Sequence, residues 1–137
     1  MLPKLRQAVK SEGLAATVAE HLEQTKEHGP RLEAVFRALD AEPSSNLSPP
    51  VEKLAEHHDK LADNIPEDGL ADFFHAAAAA TTEHHELAAY DALLELAQSV
   101  ELSDEARSQL ERNRGEEAEA LDRLRGELDR LAGELRP

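Results

Sequence analysis

Three long stretches of this chain repeat apolar residues every three or four positions, and each repeat turns polar near its midpoint. One stripe reads Leu14, Val18, His21, Thr25, His28, Leu32, Val35, Leu39. A second reads Ala76, Ala79, Glu83, Glu86, Tyr90, Leu93, Ala97, Val100. A third reads Leu110, Arg114, Glu117, Leu121, Leu124, Leu128, Leu131, Leu135. That period belongs to helices with one buried face, and no segment alternates as a strand does. The stripes must bury one another, which predicts an all-α antiparallel helical bundle. In antiparallel neighbours midpoints share a height, so His21, His28, Glu83, Glu86 and Glu117 are aimed at one level of the core.

Buried carboxylates cost several kcal/mol each unless they are paired or bound to a cation. Clustering them makes sense when something positive sits between them. One or two metal ions would satisfy hard oxygen and imidazole ligands. Arg114, one turn from Glu117, offers a competing answer as the cation of a structural ion-pair network. Plainer readings stand beside both. Leu87 and Leu94 offer an alternative stripe that would turn Glu83 and Glu86 outwards and leave His84 and His85 as boundary residues. His21 and His28 singly can be ordinary core histidines. His57 and His58 read as a solvated pair, and His75 as a packing residue near a helix start.

Punctuation divides the chain into helices within one domain spanning residues 1–137. The first ten residues read as a short helix. Ser11 suits the N-cap of a long helix over about 12–40, which Gly29 and Pro30 should kink. Glu42 to Pro50, rich in proline and serine, reads as a linker. Ser48 and Pro49 then open a short helix over about 51–63. Pro66, Asp68 and Gly69 mark a break before a helix over about 69–99. Ser103, followed by Asp104 and Glu105, caps a last helix that runs nearly to the C-terminus. The run Ala76 to Ala80 predicts a close helix–helix approach. The heptad-spaced leucines from Leu121 to Leu135 fit an internal seam better than an external coiled coil.

The chain carries 15 basic and 29 acidic residues, a net charge of −14. Such a surface repels nucleic acid and anionic membrane, which excludes both as partners. No apolar run approaches the roughly 20 residues that a membrane span requires. No signal peptide is visible, so a cytoplasmic location is expected. The absence of cysteine excludes thiolate chemistry and disulfides. The acidic bias suits a halophilic, high-salt interior as well as an ordinary acidic protein.

The segments His21-Leu-Glu-Gln-Thr25, Arg31-Leu-Glu-Ala-Val-Phe36, Glu83-His-His-Glu-Leu-Ala-Ala-Tyr90 and Asp104-Glu-Ala106 resemble the YciF-like branch of the ferritin-like superfamily. The similarity runs from Leu2-Pro-Lys4 to Leu124 and is most specific over Glu83 to Tyr90. It implies a ferritin-like four-helix bundle with an extra short helix in its long connection. Family members are associated with stress responses, often dimerise, and have no firmly assigned reaction. The resemblance assigns Glu83 and Glu86 to the Glu-x-x-Glu pair of related dimetal proteins, Glu117 to the fourth-helix glutamate and His28 to the second-helix histidine. Glu23 matches a recurring glutamate but lies off the seam.

The departures carry weight too. Gln24 and Leu121 stand where the family has glutamate and aspartate, and the first helix lacks about two turns that normally bring a further glutamate. These differences imply a reduced single-metal site for iron or manganese, or a metal-free remnant, rather than a complete dimetal centre. If the centre turns over, the expected chemistry is peroxide reduction or ferrous oxidation. The alternative is a non-catalytic structural or interaction module that binds no metal. The shortened first helix should leave an apolar groove, and a homodimer or higher oligomer is expected to cover it.

Overall fold

Ser11 and Ser103 each start a long helix through the same device. The Ser11 hydroxyl accepts from the Leu14 amide at 3.3 Å, and the Ser103 hydroxyl accepts from Ala106 at 3.2 Å. An acidic residue follows each serine, favourable at the positive end of a helix dipole. In the computed structural model the described residues are 2–43, 53, 56–58, 60, 61, 64, 65 and 68–135. They form α1 (Leu2–Ala8), α2 (Glu12–Ala38), α3 (Asp68–Leu96) and α4 (Asp104–Glu134), and no strand occurs among them. The fold is the expected all-α bundle.

The boundaries differ from expectation in small ways. Helix begins at Asp68, inside the expected break, and α3 ends at Leu96 in a turn rather than at residue 99. Pro30 sits inside α2 without interrupting it, although its missing N–H deprives the Lys26 carbonyl of a helical donor. Of the short helix expected over 51–63, residues 53, 56–58, 60 and 61 are described, and all are helical. The rest of that span lies outside the described residues, as does the expected linker beyond Pro43.

α4 is the axis of the packing. Both α2 and α3 lie against it, while they contact each other little. Val35 and Tyr90 meet Leu110 at one end, and Leu14, Val18 and Ala76 meet Leu121, Leu124 and Leu131 at the other. α2 and α3 therefore run parallel to each other at diagonal corners, both antiparallel to α4. α1 turns back along α2 and occupies part of the fourth corner, burying Leu5.

Ala76 and Ala79 are fully buried, as close approach of neighbouring helices requires, and the leucines from Leu121 to Leu131 form an internal seam. Two apolar clusters result, one at each end of the bundle. Between them lies the polar layer.

Candidate metal centre

Helical spacing brings His21 and His28 from α2, Glu83 and Glu86 from α3, and Glu117 from α4 into that layer. Glu83 is 1 % exposed and Glu117 fully buried. His21 Nε2 lies 3.2 Å from Glu83 Oε2 and 3.2 Å from Glu117 Oε2. His28 Nδ1 lies 2.9 Å from Glu117 Oε1. Among the described residues none of these contacts closes as a well-aligned hydrogen bond on Glu83 Oε2 or on either oxygen of Glu117. One ligand atom each from His21, Glu83 and Glu117 falls within 4.8 Å of the others. Three ligand atoms this close, with oxygens left unsatisfied, are spaced as the ligands of one cation would be.

The electrostatics follow from crowding. Burial pushes Glu83 up to about 7, with Glu117 adding to the effect and His21 opposing it. Burial likewise lifts Glu86 to about 8, helped by the charge of Glu117. Burial also opposes charge on His21 and on Glu117, but there the neighbours prevail. Glu117 and Glu83 hold His21 up at about 10, while His21 and His28 hold Glu117 well below the usual carboxylate range. The layer is a set of carboxylates and imidazoles competing for too few protons.

A second ring of residues fixes the first. His28 Nε2 is 2.8 Å from Glu116 Oε2, so Glu116 orients the imidazole with Nδ1 towards the centre. Arg31 donates to the same Glu116 oxygen at 2.6 Å and to the Asn113 side-chain oxygen at 2.9 Å. Asn113, fully buried, donates to the His28 carbonyl at 3.3 Å and to the Tyr90 hydroxyl at 3.1 Å. Burial raises Tyr90 to about 12, so it is a neutral phenol here.

Of the four residues assigned as ligands from the sequence, Glu83 and Glu117 lie in the three-residue group. His28 touches Glu117 from the next position, and Glu86 is close enough for Glu117 to raise it. His21 stood in the stripe but outside that set of four, and it belongs at the centre.

Arg114 corrects an expectation. Its guanidinium pairs with Asp91 at 2.8 Å on the exposed side of α4 and takes no part in the layer. Position 113, four residues before Glu117, faces inwards in its place. Asn113, Glu116 and Arg31 were missed by the sequence reading. Glu116 could have been found from Arg112, four residues earlier on the same helix face, which pairs with it at 3.2 Å.

His58 is also corrected: it is buried, not solvated, with Nε2 2.9 Å from His75 Nδ1 and its ring stacked on Phe74. Burial and the neighbouring His58 lower His75, with Asp72 opposing.

The model of the family described as "Domain of unknown function (DUF892)" matches residues 1–134. Among solved structures, the chain is similar to one described as "YcfI, a putative structural protein from Rhodopseudomonas palustris.". The two share 30% sequence identity at a TM-score of 0.85, covering 90% of this chain and 78% of that one. No curated protein matches the chain.

Proposed function

This chain belongs to the DUF892 family, and from that premise we propose that it is a ferritin-like, metal-binding bundle whose centre takes one divalent cation. The carrying observation is the set of buried carboxylate oxygens on Glu83 and Glu117, gathered around His21 Nε2 and, among the described residues, without a well-aligned hydrogen bond. Mixed carboxylate and imidazole donors suit ferrous iron or manganese. His21, Glu83 and Glu117 hold the ion, and His28 and Glu86 border it. A metal there supplies Lewis-acid and one-electron chemistry of the kind that peroxide or ferrous substrates require. The YciF-like resemblance supports a role in stress responses.

Manganese loading tests this reading on untagged protein. The expected result is close to one equivalent of bound Mn(II), lost in Glu83→Ala and Glu117→Ala variants that remain helical. Wild-type protein that retains no metal after dialysis overturns it. A second reading, a structural module with no metal, draws on the description of the YcfI structure as "a putative structural protein". Under that reading the same variants alter stability and nothing else.

A further inference from the structure

Arg31 stands one turn after His28 on α2, while Asn113 and Glu116 come one turn and one residue before Glu117 on α4. This spacing delivers a guanidinium to the edge of the polar layer. Arg31 Nη1 donates to Glu116 Oε2 at 2.6 Å and to Asn113 Oδ1 at 2.9 Å. The same Glu116 oxygen lies 2.8 Å from His28 Nε2, and His28 Nδ1 lies 2.9 Å from Glu117 Oε1. One carboxylate and one imidazole therefore separate the Arg31 charge from Glu117. Asn113 locks the guanidinium in place, because its amide nitrogen is spent on Tyr90 and the His28 carbonyl and its oxygen must face Arg31. The Arg31 side chain is 11% exposed, and a guanidinium keeps its proton in proteins. Arg112 also pairs with Glu116, at 3.2 Å, but it is 66% exposed, where water and salt screen its charge.

The three grouped ligands bring two negative charges, from Glu83 and Glu117, and one imidazole, which coordinates in its neutral form. Those two charges balance one divalent ion, and Arg31 balances Glu116. A trivalent ion would leave one positive charge over, in a poorly solvated layer that already faces the fixed charge of Arg31. We propose, resting on the metal-centre reading above, that Arg31 sets the valence preference of the centre. It holds the site to divalent ions such as Mn(II) or Fe(II) and against trivalent ones such as the ferric ion. Arg31 touches no ligand atom of the grouped three. It acts through Glu116 and His28, as the charge that neutralises one and so tempers the pull on the other.

The probes are Mn(II) and Ga(III), a redox-inert trivalent ion, added to the full untagged chain. EPR reports the bound Mn(II) and the Ga(III):Mn(II) ratio that displaces half of it. Arg31→Gln leaves Glu116 uncompensated and should lower that ratio about tenfold. Arg31→Lys keeps the charge and should stay within about threefold of the wild type. Arg112→Gln should change the ratio by less than about twofold, because it removes a screened pair. Glu116→Gln should move the ratio the opposite way from Arg31→Gln. The double variant Arg31→Gln with Glu116→Gln leaves no unpaired charge to disturb folding, and should return close to the wild-type ratio. An unchanged ratio in Arg31→Gln, or equal ratios in Arg31→Gln and Arg31→Lys, overturns the proposal. So does a double variant that matches either single glutamine variant. Wild-type protein that binds no Mn(II) overturns the metal centre itself, which tells that failure apart from the failure of Arg31.

Discussion

Glu83 and Glu117 bring carboxylate oxygens into a site where the described residues do not fully satisfy them. In the metal-free protein this is a destabilising arrangement, since like charges are held together in a poorly solvated space. Glu83→Gln is therefore expected to raise metal-free stability by about 1–3 kcal/mol at pH 8 and to abolish metal binding. Urea unfolding and metal quantification on the same preparation check both halves. A loss of stability instead would identify a structural network.

Glu116 makes a separate prediction. Glu116→Gln leaves the layer's own side chains in place but replaces the charged acceptor shared by His28 and Arg31 with a weaker neutral amide, loosening the contact that orients the His28 ring. Mn(II) affinity should fall about 10-fold or more, with a changed EPR spectrum of the bound ion. The inward level of these residues was legible from the midpoints of the stripes. The identity of one neighbour was not: a stripe stepping by four from Leu110 selects Arg114, whereas stepping by three selects Asn113. Those two positions differ by 100° around the helix, and composition gives no reason to prefer either. His21 stands on the same stripe as His28, but spacing alone does not separate a core histidine from a ligand.

At the scale of elements, the junction between α1 and α2 rests on a carboxylate from α3. Asp72, 4% exposed, accepts from the Lys10 amide at 3.0 Å and the Ser11 amide at 2.6 Å. Asp72→Ala removes this buried acceptor at the turn that returns α1 onto the core. The expected cost is about 1–3 kcal/mol, with faster amide exchange concentrated in residues 2–14. Uniform destabilisation without local opening would contradict this role. The serine caps and the period of the long helices were readable because they are local properties of sequence. The buried His58 was not readable, because a short helix gives too few turns to fix which face meets its neighbour. His75 needed the three-dimensional partner as well, since the pairing of His58 with His75 spans the connection between helices.

For the whole molecule, the polar layer sets a pH dependence that the surface does not. Glu83 and Glu86 rise from an ordinary 4.5 to about 7 and about 8, and His21 rises from 6.5 to about 10. Between pH 7 and pH 9 the unfolded chain has released these protons, while the folded chain keeps part of them. The folded state then binds more protons, so stability must fall as pH rises through this window. His75 has the opposite sign, but its contribution levels off once pH passes the ordinary 6.5 of the unfolded chain, so little of it falls in this window. Glu117, also lowered, has completed its contribution at still lower pH.

The expected loss is about 1–2 kcal/mol from pH 7 to pH 9, less than independent sites would give because the groups share protons. Screening should raise stability at both pH values by relieving the repulsion of a −14 surface. Salt should leave the difference between them intact, because the layer is buried. Mn(II) should reverse the trend: it binds the ionised carboxylates, so its affinity and its stabilisation grow with pH. Urea titrations at pH 7 and pH 9, with chelator and with Mn(II), separate the two effects. A metal-free protein equally stable at both pH values contradicts the proton count. A decline that persists under saturating Mn(II) contradicts the metal centre.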